Sequence, residues 1–182
     1  MPEEVVVKYC SPTIAGIKTG SLFSNPLSDP LEAQKEIIEL NKKLIGSHLC
    51  ACVIGYTKVA ALIYVFNPEK LAIDLKDLKA KKLLEEKGYN VENIGSCIQT
   101  LKTRLLKGYT DFPHEIGLFL GYPVEDVEGF IAHKPCKYIG MWKVYGDVDK
   151  AQKLFEEYDK CTHTLESLLS QGISLHDLVH IE

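Results

Sequence analysis

The spacing of apolar residues predicts helices along much of the chain. Asp29 and Pro30 are typical of an N-cap and a first helical position. Ile37, Leu40 and Leu44 follow at helical intervals and give that segment one apolar face. Similar patterns predict two short helices between Asn67 and Gly88, a helix from Asn90 to Gly108, and a helix from Pro123 with Asp126 in its first turn. Further helical segments are predicted to begin near Asp147, Leu165 and Ser174.

Apolar runs without helical spacing predict strands. The runs 49–54 and 59–66 are separated by a short turn, which indicates a β-hairpin. The second run does not alternate, so we expect a central strand that is covered on both faces. Further strand candidates are 21–24, 115–120 and 138–145.

The pattern at the amino end is ambiguous. The valines at 5–7 fit either a strand or a first helical turn, and Pro12, Gly16 and Gly20 predict a structured loop over 10–25. This loop resembles phosphate-binding loops in composition, but it lacks their contiguous Gly-Lys-Ser/Thr order. Its backbone N–H groups could still hold an anion, with assistance from Lys18.

These elements predict one α+β domain over residues 1–182. We expect a mainly antiparallel sheet of four to five strands packed by about six helices. A chain of 182 residues is long enough to bury a sizeable core within one domain.

Composition and charge exclude several classes of protein. Hydrophobic residues make up 46% and charged residues 25% of the chain, as in ordinary globular proteins. The net charge of -4 argues against a nucleic-acid surface, which needs a clustered basic face. No apolar run approaches the roughly 20 residues that cross a bilayer. With no secretory signal visible, six cysteines favour free thiols and a cytoplasmic location.

His114 and Glu115 are the first candidates for chemistry. They resemble the start of the zinc-protease motif H-E-x-x-H, but Leu118 stands where the second histidine is needed, which excludes that class. His114 could act as a general acid or base, bind a ligand, or simply be hydrogen-bonded at the end of a strand. Neighbours on a strand point to opposite faces, so His114 and Glu115 would not easily act as a pair.

The cysteines offer weaker candidates. Cys10 lies in the predicted loop and could be an exposed nucleophile, although the sequence pairs no base with it. Cys136 and Cys161 could meet as a redox pair, could join two histidines around a zinc ion, or could be buried structural thiols. The ligand spacing is unusual for structural zinc, so we predict no metal site.

Aromatic residues suggest a pocket near the carboxyl end of the predicted sheet. Tyr122, Trp142 and Tyr145 could form its walls, although core packing of these rings is the alternative. We expect folding to bring the 10–23 loop, with Thr13 and Lys18, beside the 112–123 segment. The result would be a polar pocket at the sheet edge.

Four segments carry a resemblance to a known family. They are C-S-P-T-I-A-G-I-K-T-G-S-L-F at 10–23, F-P-H-E-I-G-L-F-L-G-Y-P-V-E-D-V-E-G-F-I at 112–131, W-K-V-Y-G-D at 142–147 and F-E-E-Y-D-K-C-T at 155–162. On these segments the chain resembles DUF3793, a family common in clostridia and other anaerobes. The resemblance implies a small cytosolic protein and no particular activity. The matching positions are Cys10, Pro12, Thr13, Gly16, Lys18, Pro113, His114, Glu115, Gly117, Gly121, Tyr122, Pro123, Trp142, Lys143, Tyr145, Gly146, Asp147 and Cys161.

Three functions remain open at this point. The first is a domain that binds a small molecule or cofactor in the expected pocket. The second is an enzyme that uses His114 or Glu115 as acid or base, with Cys10 as nucleophile. The third is a protein-interaction module. The expected partner is a small-molecule ligand rather than nucleic acid or a membrane, and the residues specify neither a cofactor nor an oligomeric state.

Overall fold

A computed structural model describes residues 1–26, 29–106 and 112–181. The chain forms two compact units: the first runs from Met1 to Lys70 and resumes at Cys161, and the second is Leu71–Lys160. None of the helices in the described ranges has the length and apolar character needed to cross a membrane.

The first unit contains a three-stranded antiparallel sheet. Its strands are β1 (Gly20–Pro26), β2 (Cys50–Tyr56) and β3 (Ala60–Phe66), in the order β1-β3-β2. The predicted hairpin and the central position of its second strand are therefore confirmed. The burial of β3 agrees with the prediction that this strand is covered on both faces, because the consecutive residues Ile63, Tyr64 and Val65 are each at most 1% exposed.

Helices cover one face of this sheet. They are α1 (Glu3–Ile14), α2 (Pro30–Lys43) and α9 (Leu175–Leu178). The helix α3 (Pro68–Asp74) begins in the first unit and ends in the second. Val7, Leu40, Ile63 and Leu175 belong to one core cluster formed by these elements. The predicted start of α2 is confirmed, because Asp29 Oδ1 accepts hydrogen bonds from the first-turn backbone N–H groups.

The predicted loop over 10–25 is wrong in its first part. Helix α1 continues through Pro12 to Ile14, and β1 follows at Gly20. Val6, Val7 and Cys10 lie at helical spacing and are buried, so burial of this face outweighs the hydrogen bond that a proline removes. The helix ends beside Gly16, whose φ of 71° is the left-handed conformation typical of a residue just past a helix.

The second unit consists of short helices and a small hairpin. Its elements after α3 are α4 (Leu78–Glu86), α5 (Ile94–Leu105), α6 (Ile116–Phe119), α7 (Val124–Ile131), β4 (Tyr138–Ile139), β5 (Lys143–Val144) and the start of α8 (Val148–Ser170). The predicted pair of helices up to Gly88 is confirmed, as is the helix after Pro123. Asn93 rather than Asn90 caps α5, and the predicted end at Gly108 lies outside the described residues.

The strand prediction for 115–120 is wrong, and the one for 138–145 is correct only for residues 138–139 and 143–144. Residues 115–120 contain the single helical turn α6, because a short run of consecutive apolar residues has no period that distinguishes strand from helix. Residues 138–145 form two strands of two residues that are joined by a turn at Gly140, whose N–H donates to the Trp142 carbonyl at 3.0 Å.

The α+β class is confirmed, but the predicted single sheet is not. The strands in the described ranges form one sheet of three and one of two. The separate helical segment expected near Leu165 is part of α8, which runs without interruption for 23 residues.

Candidate functional site

A cleft of about 290 Å³ lies in the second unit. Three parts of the chain form it: the segment around α6, the inner face of α7, and the turn of the β4–β5 hairpin. The lining residues are Phe112, His114, Ile116, Gly117, Tyr122, Asp126, Val127, Phe130, Met141, Trp142 and Lys143. Most are apolar or aromatic, as in many small-molecule sites.

Two stacked rings form one wall of the cleft. The centroids of Tyr122 and Trp142 are 4.5 Å apart, with 23° between the ring planes. On a second side of the indole, Phe155 of α8 makes an edge-to-face contact at 4.5 Å and 84°. These contacts hold Trp142 in place, and its side chain is correspondingly buried.

Asp126 fixes the hairpin to α7. Its Oδ2 accepts a hydrogen bond from Trp142 Nε1 at 2.8 Å. Its Oδ1 accepts from the backbone N–H groups of Tyr145 and Gly146 at 2.6 and 2.8 Å. Three donors therefore compensate the cost of burying this carboxylate, which is 3% exposed.

Two groups that can carry positive charge lie around Phe130. The His114 ring is 4.9 Å from the Phe130 ring in an edge-to-face arrangement. Lys143 Nζ lies 5.4 Å from the centroid of the same ring, within the range of a cation–π contact. Both side chains are exposed to solvent, so the cleft combines apolar walls with a polar rim.

Glu115 has a different environment from His114. It is 1% exposed and lies outside the cleft lining. Its Oε1 accepts from the Tyr89 hydroxyl at 2.9 Å and from Arg104 Nε at 2.6 Å. Burial, with the neighbouring Glu115 charge, raises the pKa of Tyr89, so that phenol stays a hydrogen-bond donor.

The remaining predicted site residues of the amino end belong to the first unit. Cys10 is fully buried, and burial raises the pKa of its thiol to about 12. Burial also lowers the pKa of Lys18 to about 8, and the two groups interact electrostatically. Thr13 Oγ1 shares a hydrogen bond with Ser21 Oγ at 2.9 Å. The single pocket expected from both segments stays a prediction, because these residues and the cleft fall in different units.

Tyr145 contributes to the site through packing. A Cβ at Gly129 would lie 2.4 Å from Tyr145 Cγ, so the absence of a side chain there lets the tyrosine ring lie against α7. Tyr145 is outside the cleft lining, whereas the predicted Tyr122 and Trp142 are part of it.

Asp126, Phe130 and Lys143 were not predicted to line the pocket, although Lys143 is one of the positions that match the family. Asp126 lies in the first turn of the helix predicted from Pro123, where acidic residues are common for electrostatic reasons. Phe130 and Lys143 had no pattern that distinguished them from ordinary helix and strand residues. Only the alternation in W-K-V-Y, with Lys143 beside Trp142, hinted at a polar group next to an aromatic wall.

None of the six cysteines forms a disulfide. Cys136 belongs to the second unit and Cys161 to the first, so the redox pair stays an untested alternative, and both side chains are only partly buried. Within the described residues, no group of three or more histidine, cysteine or acidic side chains has an arrangement that could hold a metal ion.

Comparison with known proteins gives the family. The model of the family described as "Protein of unknown function (DUF3793)" matches residues 6–179. Neither a curated protein nor a solved structure matches the chain. The chain belongs to the DUF3793 family.

Proposed function

We propose that this member of the DUF3793 family binds a small molecule in the cleft of its second unit. The stacked pair Tyr122–Trp142 is the observation that carries the proposal. Both rings line the cleft, and the ring of a planar ligand packs favourably against aromatic side chains.

The size of the cleft limits the ligand. Its volume of about 290 Å³ is at the lower end of the range for small-molecule sites. The cleft therefore suits a compact ligand with one or two fused rings rather than a dinucleotide or a peptide segment.

The cleft is preorganised by contacts beneath its surface. Asp126 holds Trp142 and the hairpin, as described above. At Gly117, a Cβ would lie 2.8 Å from Val127 Cγ2, so the glycine lets the α6 segment pack closely on α7. A site that is already ordered loses less conformational entropy on binding, which supports a binding role.

The surroundings of Glu115 favour binding over catalysis. His114 lines the cleft, but Glu115 is engaged with Arg104 and Tyr89 on another side of the turn. The Cys10 thiol, with its pKa raised to about 12, belongs to the other unit. A nucleophile needs an adjacent base and an accessible thiolate.

A neutral two-ring probe tests the proposal. We expect 2-naphthamide to bind the full chain in isothermal titration calorimetry, and saturation-transfer NMR should show contact through its rings. Phe130→Ala should weaken binding, because Phe130 lines the cleft. Tyr56→Ala is the control, since Phe130 and Tyr56 are 36% and 46% exposed and Tyr56 belongs to the first unit, outside the lining.

Failure of the probe to bind, or equal weakening by both variants, would contradict the proposal. A circular dichroism spectrum and an unfolding curve of each variant show that the fold is retained. The pair then separates loss of the cleft from loss of an exposed aromatic ring in general.

A further inference from the structure

We infer that the ligand of this cleft is an aromatic acid, whose anionic group is bound by Lys143. The inference rests on the proposed function and adds the charge of the ligand to it. The argument starts from the distribution of charged groups around the cleft.

The only carboxylate among the described lining residues is already compensated. Asp126 is 3% exposed, and its two oxygens accept three hydrogen bonds from Trp142, Tyr145 and Gly146. It therefore has little capacity left to attract a second cation at the rim.

Lys143 also lines the cleft, but unlike Asp126 it is exposed to solvent. It lies at the rim, with its Nζ over the Phe130 ring, and it forms no ion pair within the described residues. An ammonium group held beside aromatic and apolar walls interacts more strongly with an anion than one surrounded by water. None of the described residues therefore neutralises the positive charge of Lys143 at the rim.

His114 reinforces this polarity. Its ring contacts Phe130 from the edge, so both nitrogen-bearing side chains approach the same aromatic residue. An imidazole can donate a hydrogen bond to an anionic oxygen whether or not it is charged. A ligand whose ring lies on the Tyr122–Trp142 wall would therefore direct a carboxylate towards these donors.

The positive charge of Lys143 at the rim contrasts with the negative net charge of the whole chain. The net charge is -4, so the overall field does not attract anions. Recognition of an acid must then come from the local arrangement at Lys143, which makes this residue a determinant of specificity.

The test compares two probes that differ in charge and share the same rings. Isothermal titration calorimetry with 2-naphthoate and 2-naphthamide is carried out on the full chain, on Lys143→Met and on Lys79→Met. Lys79 is an exposed lysine of α4 outside the cleft lining, so its substitution removes the same charge elsewhere. We expect naphthoate to bind the unaltered chain about tenfold more tightly, as hydrogen bonds to charged groups suggest.

Lys143→Met should abolish this preference, and Lys79→Met should retain it. Equal affinities for the two probes on the unaltered chain would overturn the inference while leaving the proposed binding function intact. A preference that persists in Lys143→Met would also overturn it, because another group would then select the acid. Binding of neither probe would overturn both the inference and the proposed function.

Discussion

His114 and Glu115 are consecutive in the chain, yet His114 lines the cleft and Glu115 is buried outside its lining. The His114 side chain is exposed beside Phe130. The Glu115 carboxylate is 1% exposed and accepts hydrogen bonds from Tyr89 and Arg104. The buried residue fixes the turn from which its neighbour reaches the cleft.

Substitutions at these two positions should have very different effects on stability. Glu115→Ala should lower the free energy of unfolding by about 3–5 kcal/mol, because it removes the acceptor of the buried Tyr89 hydroxyl and the carboxylate that pairs with the partly exposed Arg104. His114→Ala should change it by less than about 1 kcal/mol, since the side chain is exposed. Urea unfolding of both variants measures the difference. A comparable loss for His114→Ala would show that its ring belongs to the core.

The carboxylate of Asp126 should determine the environment of the single tryptophan. Asp126→Ala removes the acceptor of Trp142 Nε1 and of two backbone N–H groups, so we expect a loss of about 2–4 kcal/mol. Trp142 emission should shift to longer wavelength as the indole becomes more exposed. Glu128→Ala, on the exposed side of the same helix, should change neither quantity. Unchanged emission in Asp126→Ala would show that packing alone holds the indole.

Lys18 should make stability increase with pH just above neutrality. Its pKa is lowered from 10.5 to about 8 by burial, so between pH 8 and 9 the unfolded chain binds more protons at this residue than the folded chain. The free energy of unfolding should therefore rise over this window, by at most about 1.4 kcal/mol per pH unit. Above pH 9 the Cys10 thiol opposes the rise, because its pKa is raised from 9.0 to about 12 and the folded chain then retains more protons.

Urea unfolding at pH 7.5, 8, 8.5 and 9 measures this slope. Lys18→Met should remove the rise, whatever its effect on absolute stability, and Lys79→Met should retain it. A rise of the same size in Lys18→Met would show that a group other than Lys18 is responsible for the pH dependence of stability.

The six thiols should react in an order set by their exposure. Cys50 is exposed, whereas Cys10 and Cys97 are buried and burial raises the pKa of both thiols. Alkylation of the native chain by iodoacetamide at pH 8, followed by peptide mass spectrometry, should modify Cys50 first and Cys10 and Cys97 last. Rapid modification of native Cys10 would instead support a role as nucleophile. Denatured protein, in which all six sites react, is the control.

Local sequence signals predicted the elements that begin with a clear cap. Asp29 and Pro30 placed the start of α2 correctly, because the interaction between the Asp29 side chain and the first turn is encoded within a few residues. The hairpin of β2 and β3 was predicted for a similar reason. Its turn and its two apolar runs are contiguous in the chain.

The incorrect predictions concern segments whose conformation depends on distant contacts. Burial of Val6 and Val7 in the core of the first unit makes the helix through Pro12 favourable, and no local signal reports that burial. The residues 115–120 are apolar at nearly every position and are buried as a helical turn, so their pattern lacks a period.

The site was predicted only in part, because some of its residues come together through contacts between segments that are distant in the sequence. His114, Tyr122 and Trp142 drew attention by residue type, and the structure brings all three to one cleft. Asp126 and Lys143 gained their roles only through the approach of α7 to the β4–β5 hairpin. Sequence spacing alone does not specify that approach.

Phe155 makes an edge-to-face contact with Trp142 but does not itself line the cleft. It therefore influences the shape of the cleft without contacting a ligand. A Cβ at Gly140 would lie 2.3 Å from a ring carbon of Phe155, so the tip of the hairpin and the side of α8 are fitted to each other as well. The packing of Phe155 against Trp142 and the hairpin thus helps to determine the depth of the cleft. Substitution of Phe155 on α8 should therefore change the depth of the cleft while every side chain that lines it remains the same.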